Sequence, residues 1–323
     1  MRKQIGITLV AVVLAAAIFA SPKSSQERYS FLKWGQPPGE WGHTSSVVWN
    51  HKDLILVLRR ADPPILVFNR EGKVVNSFGT GMFERPHSLD VDRDGYVWAT
   101  DTQENVVYKF SMDGKLLMTL GKKGVAGGND SHDLFNGPTD VAVAANGDIF
   151  VADGDRNNRI VKFTKDGKFI RIIGGIKSSA PGQFGPAPGM KPSGGLVHAI
   201  AFDSKGRLIT IESFNPRIQM FTQDGAFIQQ WIIPGLMKPC GLAIAPDDTI
   251  YIGDTDAGSI TIVKNGKVMD RVHQTGIRPH NIGLDPRGDL FIADVDVEKT
   301  PSTDAKTPGW IQNTAGIWKM VRN

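Results

Sequence analysis

Short runs of alternating apolar and polar residues, rich in β-branched side chains, fill the chain from about position 43 to its end. Such alternation places successive side chains on opposite faces of a strand, and no comparable stretch has the 3.6-residue period of a helix. One phrase recurs: RPHSLDVDRDGYVWATD (85–101), GPTDVAVAANGDIFVAD (137–153), LVHAIAFDSKGRLITIE (196–212), KPCGLAIAPDDTIYIGD (238–254) and RPHNIGLDPRGDLFIAD (278–294). A degenerate copy precedes them around His43 to Arg60. Four copies run on into a third apolar segment. A turn at Asp113-Gly114, Asp166-Gly167, Asp224-Gly225 or Asn265-Gly266 follows, and then a fourth segment. These dipeptides predict two-residue hairpin turns, so each repeat predicts four antiparallel strands. Self-similarity at a period of about 40 to 60 residues is the mark of a propeller.

Counting the phrases predicts an all-β, six-bladed β-propeller. Its last blade starts at Arg278, ends at Ile317-Trp318-Lys319-Met320 and lacks an outer strand. Phe31 to Gly35 has the pattern of an orphan outer strand, and pairing it with the last blade would close the ring and remove free edges. Strand order places the start of each first strand, the turn between strands two and three, and the passage between blades at one mouth of the channel. The long connections Lys122–Asn136, Gly175–Gly195 and Val295–Gly316 all fall there, while the other face has only tight turns. Loops presented by a rigid scaffold carry function, so the site is expected at this mouth.

Composition narrows the class. With 41% hydrophobic and 22% charged residues, the chain is too apolar for disorder, and its 36 glycines fit many tight turns. The net charge of +4 comes without a basic block, which argues against nucleic acid as a partner. Cys240 stands alone, so neither an internal disulfide nor a thiolate zinc site is available. At the N-terminus, Arg2 and Lys3 precede an apolar run from Ile5 to Phe19, then Ala20 and a polar Ser-Pro-Lys segment. This is the form of a secretory signal peptide over 1–20, leaving one propeller domain over 21–323. The expectation is a secreted or periplasmic monomer with no membrane span after cleavage.

The third position of the repeat phrase is His87 in blade two, Thr139 in three, His198 in four, Cys240 in five and His280 in six, with His43 aligned there in blade one. In a six-fold ring, blades two, four and six stand about 120° apart around the channel. Three imidazoles converging on one axis form a tripod with a fourth position open, the arrangement of catalytic zinc. Imidazole also suits copper, nickel or iron. The bland alternative is that these histidines merely cap the first strand, since Thr139 and Cys240 fill the same slot.

The phrases quoted above are of the NHL type, and with the alternate-blade Pro-His and Val-His dipeptides the chain resembles the peptidyl-α-hydroxyglycine α-amidating lyases over nearly all of its mature length. The resemblance implies zinc on His87, His198 and His280. It also implies cleavage of a carbinolamide C–N bond to a peptide amide and glyoxylate. It places Arg60, beside Arg59, as a substrate-binding and catalytic cation. Where the family has a catalytic Tyr after blade three's Asp-Gly, this chain has Asp155, with Arg156 next to it. Where the family has a second substrate-binding Arg, this chain has Ser213. Asp155 as base and Arg156 as substitute cation are the expectations here. The family's channel calcium maps onto the Leu89 carbonyl and Asn281, an amide in place of a carboxylate. The alternative function is a non-catalytic extracytoplasmic propeller that binds a small molecule, peptide or protein at the loop-rich mouth. A sugar-lactonase-like hydrolase ranks behind both, because it needs a channel rich in carboxylates and amides.

Overall fold

The structure, a computed structural model, describes residues 24, 28–191, 196–295 and 316–323. Its named elements are 24 strands, β1(Tyr29–Trp34) to β24(Gly316–Arg322), arranged as six four-stranded antiparallel sheets. Blade one is β2(Thr44–Trp49), β3(Ile55–Arg59), β4(Ile65–Phe68) and β5(Val74–Phe78). Blades two to five follow the same order, with inner strands β6(Pro86–Val91), β10(Pro138–Val143), β14(Val197–Phe202) and β18(Pro239–Ile244). Blade six holds β22(Pro279–Leu284), β23(Leu290–Asp294) and β24, with β1 as its outer strand, Tyr29 opposite Arg322 and Trp34 opposite Ile317. Each inner strand packs against the inner strands of its two neighbours, so the sheets form a closed ring. The expected closure by the N-terminal strand is therefore present. The proposed signal peptide, and most of the connection between Val295 and Gly316, lie outside the described residues. Among those described, no helix is long and apolar enough to cross a membrane.

Packing explains why the repeat needs its neighbours. The buried apolar residues fall into six clusters, one for each seam between adjacent blades. Leu56, Leu58 and Ile65 of blade one, for example, pack on Leu89, Val97 and Tyr108 of blade two. A single blade would leave both faces wet, so stability resides in the seams. The hairpins at strands three to four also meet the previous blade. At Gly114, with φ +94°, a Cβ would stand 2.5 Å from Phe78. The three Asp-Gly turns are wider than expected. Ser111 N–H bonds Lys115 C=O and Gly114 N–H bonds Ser111 C=O, a three-residue loop ending in a left-handed Gly. Only Asn265-Gly266, with both residues at positive φ between paired Lys264 and Lys267, is the two-residue turn.

One repeat position ties each blade to its own entry. At the end of the second strand, Asp101 accepts the amides of Glu84 and Arg85, Asp153 that of Asn136, Asp254 those of Met237 and Lys238, and Asp294 that of Arg278. Glu212 does the same for Gly185. Blade one inverts the charge: Arg59 stands opposite Thr44 in this slot and donates to the carbonyls of Glu40, Asp62 and Pro63. The two long mouth loops that are described are pinned from the same slot. Arg159, paired with buried Asp153 at 2.9 Å, donates to Asn129, Ser131 and Leu134 carbonyls. Arg217, paired with buried Glu212 at 2.6 Å, holds Ser179 and Gln183 carbonyls.

Candidate metal centre

Every inner strand carries a one-residue bulge at its start, marked by a register shift such as Thr44/Ser46 or Val197/Ala199. A bulge re-aims the extra side chain, which here is the third residue of the repeat phrase. The register corrects one alignment: in blade one the slot belongs to Ser45, and His43 lies two residues before it. Even blades thus place His87, His198 and His280 at the bulge, and odd blades place Ser45, Thr139 and Cys240.

The two sets interlock around the ring. His87 Nδ1 lies 2.7 Å from the Thr139 carbonyl, His198 Nδ1 3.0 Å from that of Cys240, and His280 Nδ1 2.8 Å from that of Ser45. A carbonyl only accepts, so each Nδ1 carries the proton and each Nε2 keeps its lone pair. The three rings converge with centroids 4.7, 4.9 and 5.0 Å apart, and one ligand nitrogen from each lies within 4.8 Å of the others. The lone pairs of three largely buried imidazoles facing one another repel unless a cation lies between them. The fixed tautomer is the one that metal-binding histidines adopt. These residues therefore fit a transition metal, with three nitrogen ligands.

Charge reinforces the neutral, ligating form at two of the three. Burial, with the charges of His198, Arg60 and Arg85, holds His87 well below the usual imidazole range. Burial, His87, His198 and His43 do the same to His280. At His198 burial also opposes a proton, but Cys240 beside it outweighs that and raises the pKa, while His198 in turn lowers that of the Cys240 thiol against its own burial.

The other expected site residues divide. Arg60, half-buried just past β3, has its amide on the His43 carbonyl and its charge acting on His87; Arg59 faces away, into the loop carbonyls. Asp155 follows β11(Ile149–Asp153) at the mouth, against Gly137. Arg156 is turned to blade two, donating to the Thr102 carbonyl at 2.8 Å and to Gln103 at 3.2 Å. Buried Ser213 bonds the Pro239 carbonyl and lies 3.7 Å from the Cys240 sulfur. One layer down the channel, Asn281 Nδ2 donates to Ser88 Oγ at 3.2 Å, and Ser88 donates to Asp140 at 2.6 Å. The Leu89 amide bonds Ser46 Oγ nearby.

Sequence reasoning missed the three carbonyl acceptors, which have no side-chain signature; their only sign was the shared slot. It also missed two channel carboxylates. Asp140 accepts from Ser88 and from the Ile200 amide, and burial pushes its pKa up to about 7. Asp90, bonded by the Val143 amide, is pushed up to about 6 by the same cause. The channel beneath the imidazoles is therefore richer in carboxylate than the repeat phrase suggested.

Residues 135–163 match the NHL repeat. A Caenorhabditis elegans protein named "Probable peptidyl-alpha-hydroxyglycine alpha-amidating lyase" is 38% identical over 154 residues, 44% of this chain and 43% of its own length. This is an NHL-repeat propeller similar to the amidating lyases. Peptidyl-glycine α-amidating monooxygenase B of Xenopus laevis is 31% identical over 250 residues, 71% of this chain but only 27% of that longer protein. The matches thus span less than half the length of either relative. Among solved structures, a gluconolactonase of Xanthomonas campestris has a TM-score of 0.62 at 13% identity, covering 92% of each chain, a likeness of fold alone.

Proposed function

We propose that the chain is an exported, metal-dependent carbon–nitrogen lyase acting on a peptidyl-α-hydroxyglycine or a close relative of it. The observation that carries this is the set of three converging histidines, one from each alternate blade, in a propeller with lyase relatives at this identity. His87, His198 and His280 would hold the ion, with zinc the leading candidate. A divalent metal bound there supplies Lewis acidity toward the substrate hydroxyl. Arg60 binds the glycine carboxylate by charge-assisted hydrogen bonds. Asp155 takes the hydroxyl proton. The C–O bond becomes a carbonyl as the C–N bond breaks, and the nitrogen leaves with the electron pair and regains a proton, giving the amide and glyoxylate. Asp140, linked through Ser88 to Asn281, supplies the charge that Asn281 lacks, so calcium near Leu89 and Asn281 is part of the same proposal.

Incubating the zinc-loaded protein with an α-hydroxyglycine peptide should release glyoxylate, and a chelator should abolish it. Elemental analysis should find about one transition ion per chain in the wild type and none in His198→Ala. A zinc-loaded protein that forms no glyoxylate overturns the lyase reading. It would favour the second one, a non-catalytic propeller that binds a peptide or protein at the same mouth. What speaks for that reading is the pair of positions, Asp155 and Ser213, at which the resemblance implies Tyr and Arg, with Ser213 engaged by its own backbone neighbour.

A further inference from the structure

A second set of bulges lies on the face away from the mouth, where the outer strands begin. In blade one the register passes from Phe68 opposite Val74 to Val67 opposite Asn76, and Val75 is left over. The same step leaves over Leu117 in β9(Leu116–Gly121), Ile170 in β13(Phe169–Gly174), Ile228 in β17(Phe227–Ile232) and Met269 in β21(Lys267–His273). Every outer strand that follows a hairpin thus places a large apolar residue where a bulge re-aims the side chain. Val75, Leu117, Ile228 and Met269 are between 41% and 62% exposed, and Ile170 is half-buried. A lone exposed apolar side chain needs no explanation, but one repeated at the same position around a ring does.

Because these outer strands all begin on one face, the five side chains lie around a single rim, which a flat partner touches all at once. Exposed Lys73, Lys115, Lys168 and Lys267 each stand two residues before one of them. Among the described ion pairs none engages these lysines. The same turns carry Glu71, Asp113, Asp166 and Asp224, so charge nearly balances and apolar contact has to supply the binding. Apolar tips beside long amphipathic lysine stems are the composition of surfaces that sit at a lipid head-group layer. In blade six no hairpin leads into the outer strand, and the N-terminal chain arrives there instead. Arg28 enters the rim beside Met269, bonded to the adjacent Asp270 at 2.6 Å. The apolar run Ile5–Phe19 ends nine residues before it, a reach of roughly 30 Å at full extension. A leader inserted in a membrane would therefore deliver the propeller with this rim toward the bilayer.

We propose that this rim docks on a lipid bilayer, so that the propeller stays at the membrane surface after its leader is removed, with the histidine mouth facing away. The proposal is independent of the lyase reading and uses the export reading only for the leader.

The test is co-sedimentation of residues 21–323, which contain all 24 strands, with large vesicles of phosphatidylcholine and phosphatidylglycerol. The wild type should sediment with the vesicles. Leu117→Ser combined with Met269→Ser should weaken the partition about tenfold or more, because two apolar contacts are lost. Ile176→Ser combined with Ile232→Ser, at exposed positions on the mouth side, should leave it unchanged. Both variants alter exposed positions, and Tm values matching the wild type check that they are folded. A wild type that stays in the supernatant overturns the proposal, as does an equal loss in both variants. A dimer in vesicle-free solution that the Leu117 and Met269 variant loses overturns it too, since a second copy would then cover the ring.

Discussion

Asp140 is held in the channel by a hydroxyl and an amide, with no cation among the groups that lower its pKa. A carboxyl raised to about 7 binds more protons folded than unfolded across the range between its ordinary value and 7. Asp140's contribution to the stability of the metal-free protein should therefore fall as pH rises from about 4 to about 7 and level off above, the shift of about three units bounding the effect at roughly 4 kcal/mol, while the depressed His87 and His280 act in the opposite direction. Asp90, raised to about 6, adds in the same direction as Asp140. Thermal unfolding of Asp140→Asn should show a higher Tm than the wild type at pH 7.5, with the gap closing toward pH 4. Calcium should raise the wild-type Tm at that pH and leave the variant's unchanged. A stability difference between wild type and Asp140→Asn that is the same at pH 7.5 as at pH 5, without added ions, would contradict this. The same residue shows where the sequence was opaque. His87, His198 and His280 were legible because their repeat slot fixes an angle around the ring. Asp140 sits in the next slot, yet nothing local distinguishes an inward carboxylate from one that caps a turn.

At the scale of the element, each even-blade bulge turns a strand histidine toward the channel axis, and the buried Arg159 and Arg217 each turn a long loop into a fixed rim. Arg217 and Glu212 are both about 1% exposed, so removing one partner strands the other's charge. Arg217→Met should destabilise the protein by about 3–5 kcal/mol in urea unfolding, and adding Glu212→Met should recover much of it. A single variant as stable as the wild type would show the loop to be held by other means. Strands, blade count and the closing strand were all legible, because alternation and turn dipeptides are local signals. Blade one was misaligned for a physical reason: Arg59 occupies the slot that the other blades give to Asp or Glu, so the landmark of the repeat was missing there. The Asp-Gly dipeptides predict two-residue turns, but loop length depends on backbone pairing, which the dipeptide alone does not specify. The loop-pinning role of Arg159 and Arg217 depends on contacts with carbonyls about 25 to 40 residues away, beyond any local pattern.

For the molecule as a whole, the ring is held by six apolar seams and a single splice, the pairing of β1 with β24. The splice is reinforced by Arg28, which reaches Asp270 of blade five at 2.6 Å. Removing residues 28–34 should expose the edge of β24 and uncover Phe291, against which Trp34 packs at 4.9 Å. The truncated chain should unfold at lower temperature and self-associate in light scattering. A monomer of unchanged Tm would show that the seams suffice. The splice also has a consequence in time. Tyr29 pairs with Arg322, so β1 must wait for β24 to be made. At about 5 to 20 residues per second, that interval is roughly 15 to 60 s of synthesis. Throughout it β1 is an unpaired strand, and blades one to five are an open arc with two raw ends. No closed ring exists until β24 is made, so the His280 arm of the histidine tripod is locked in place only then.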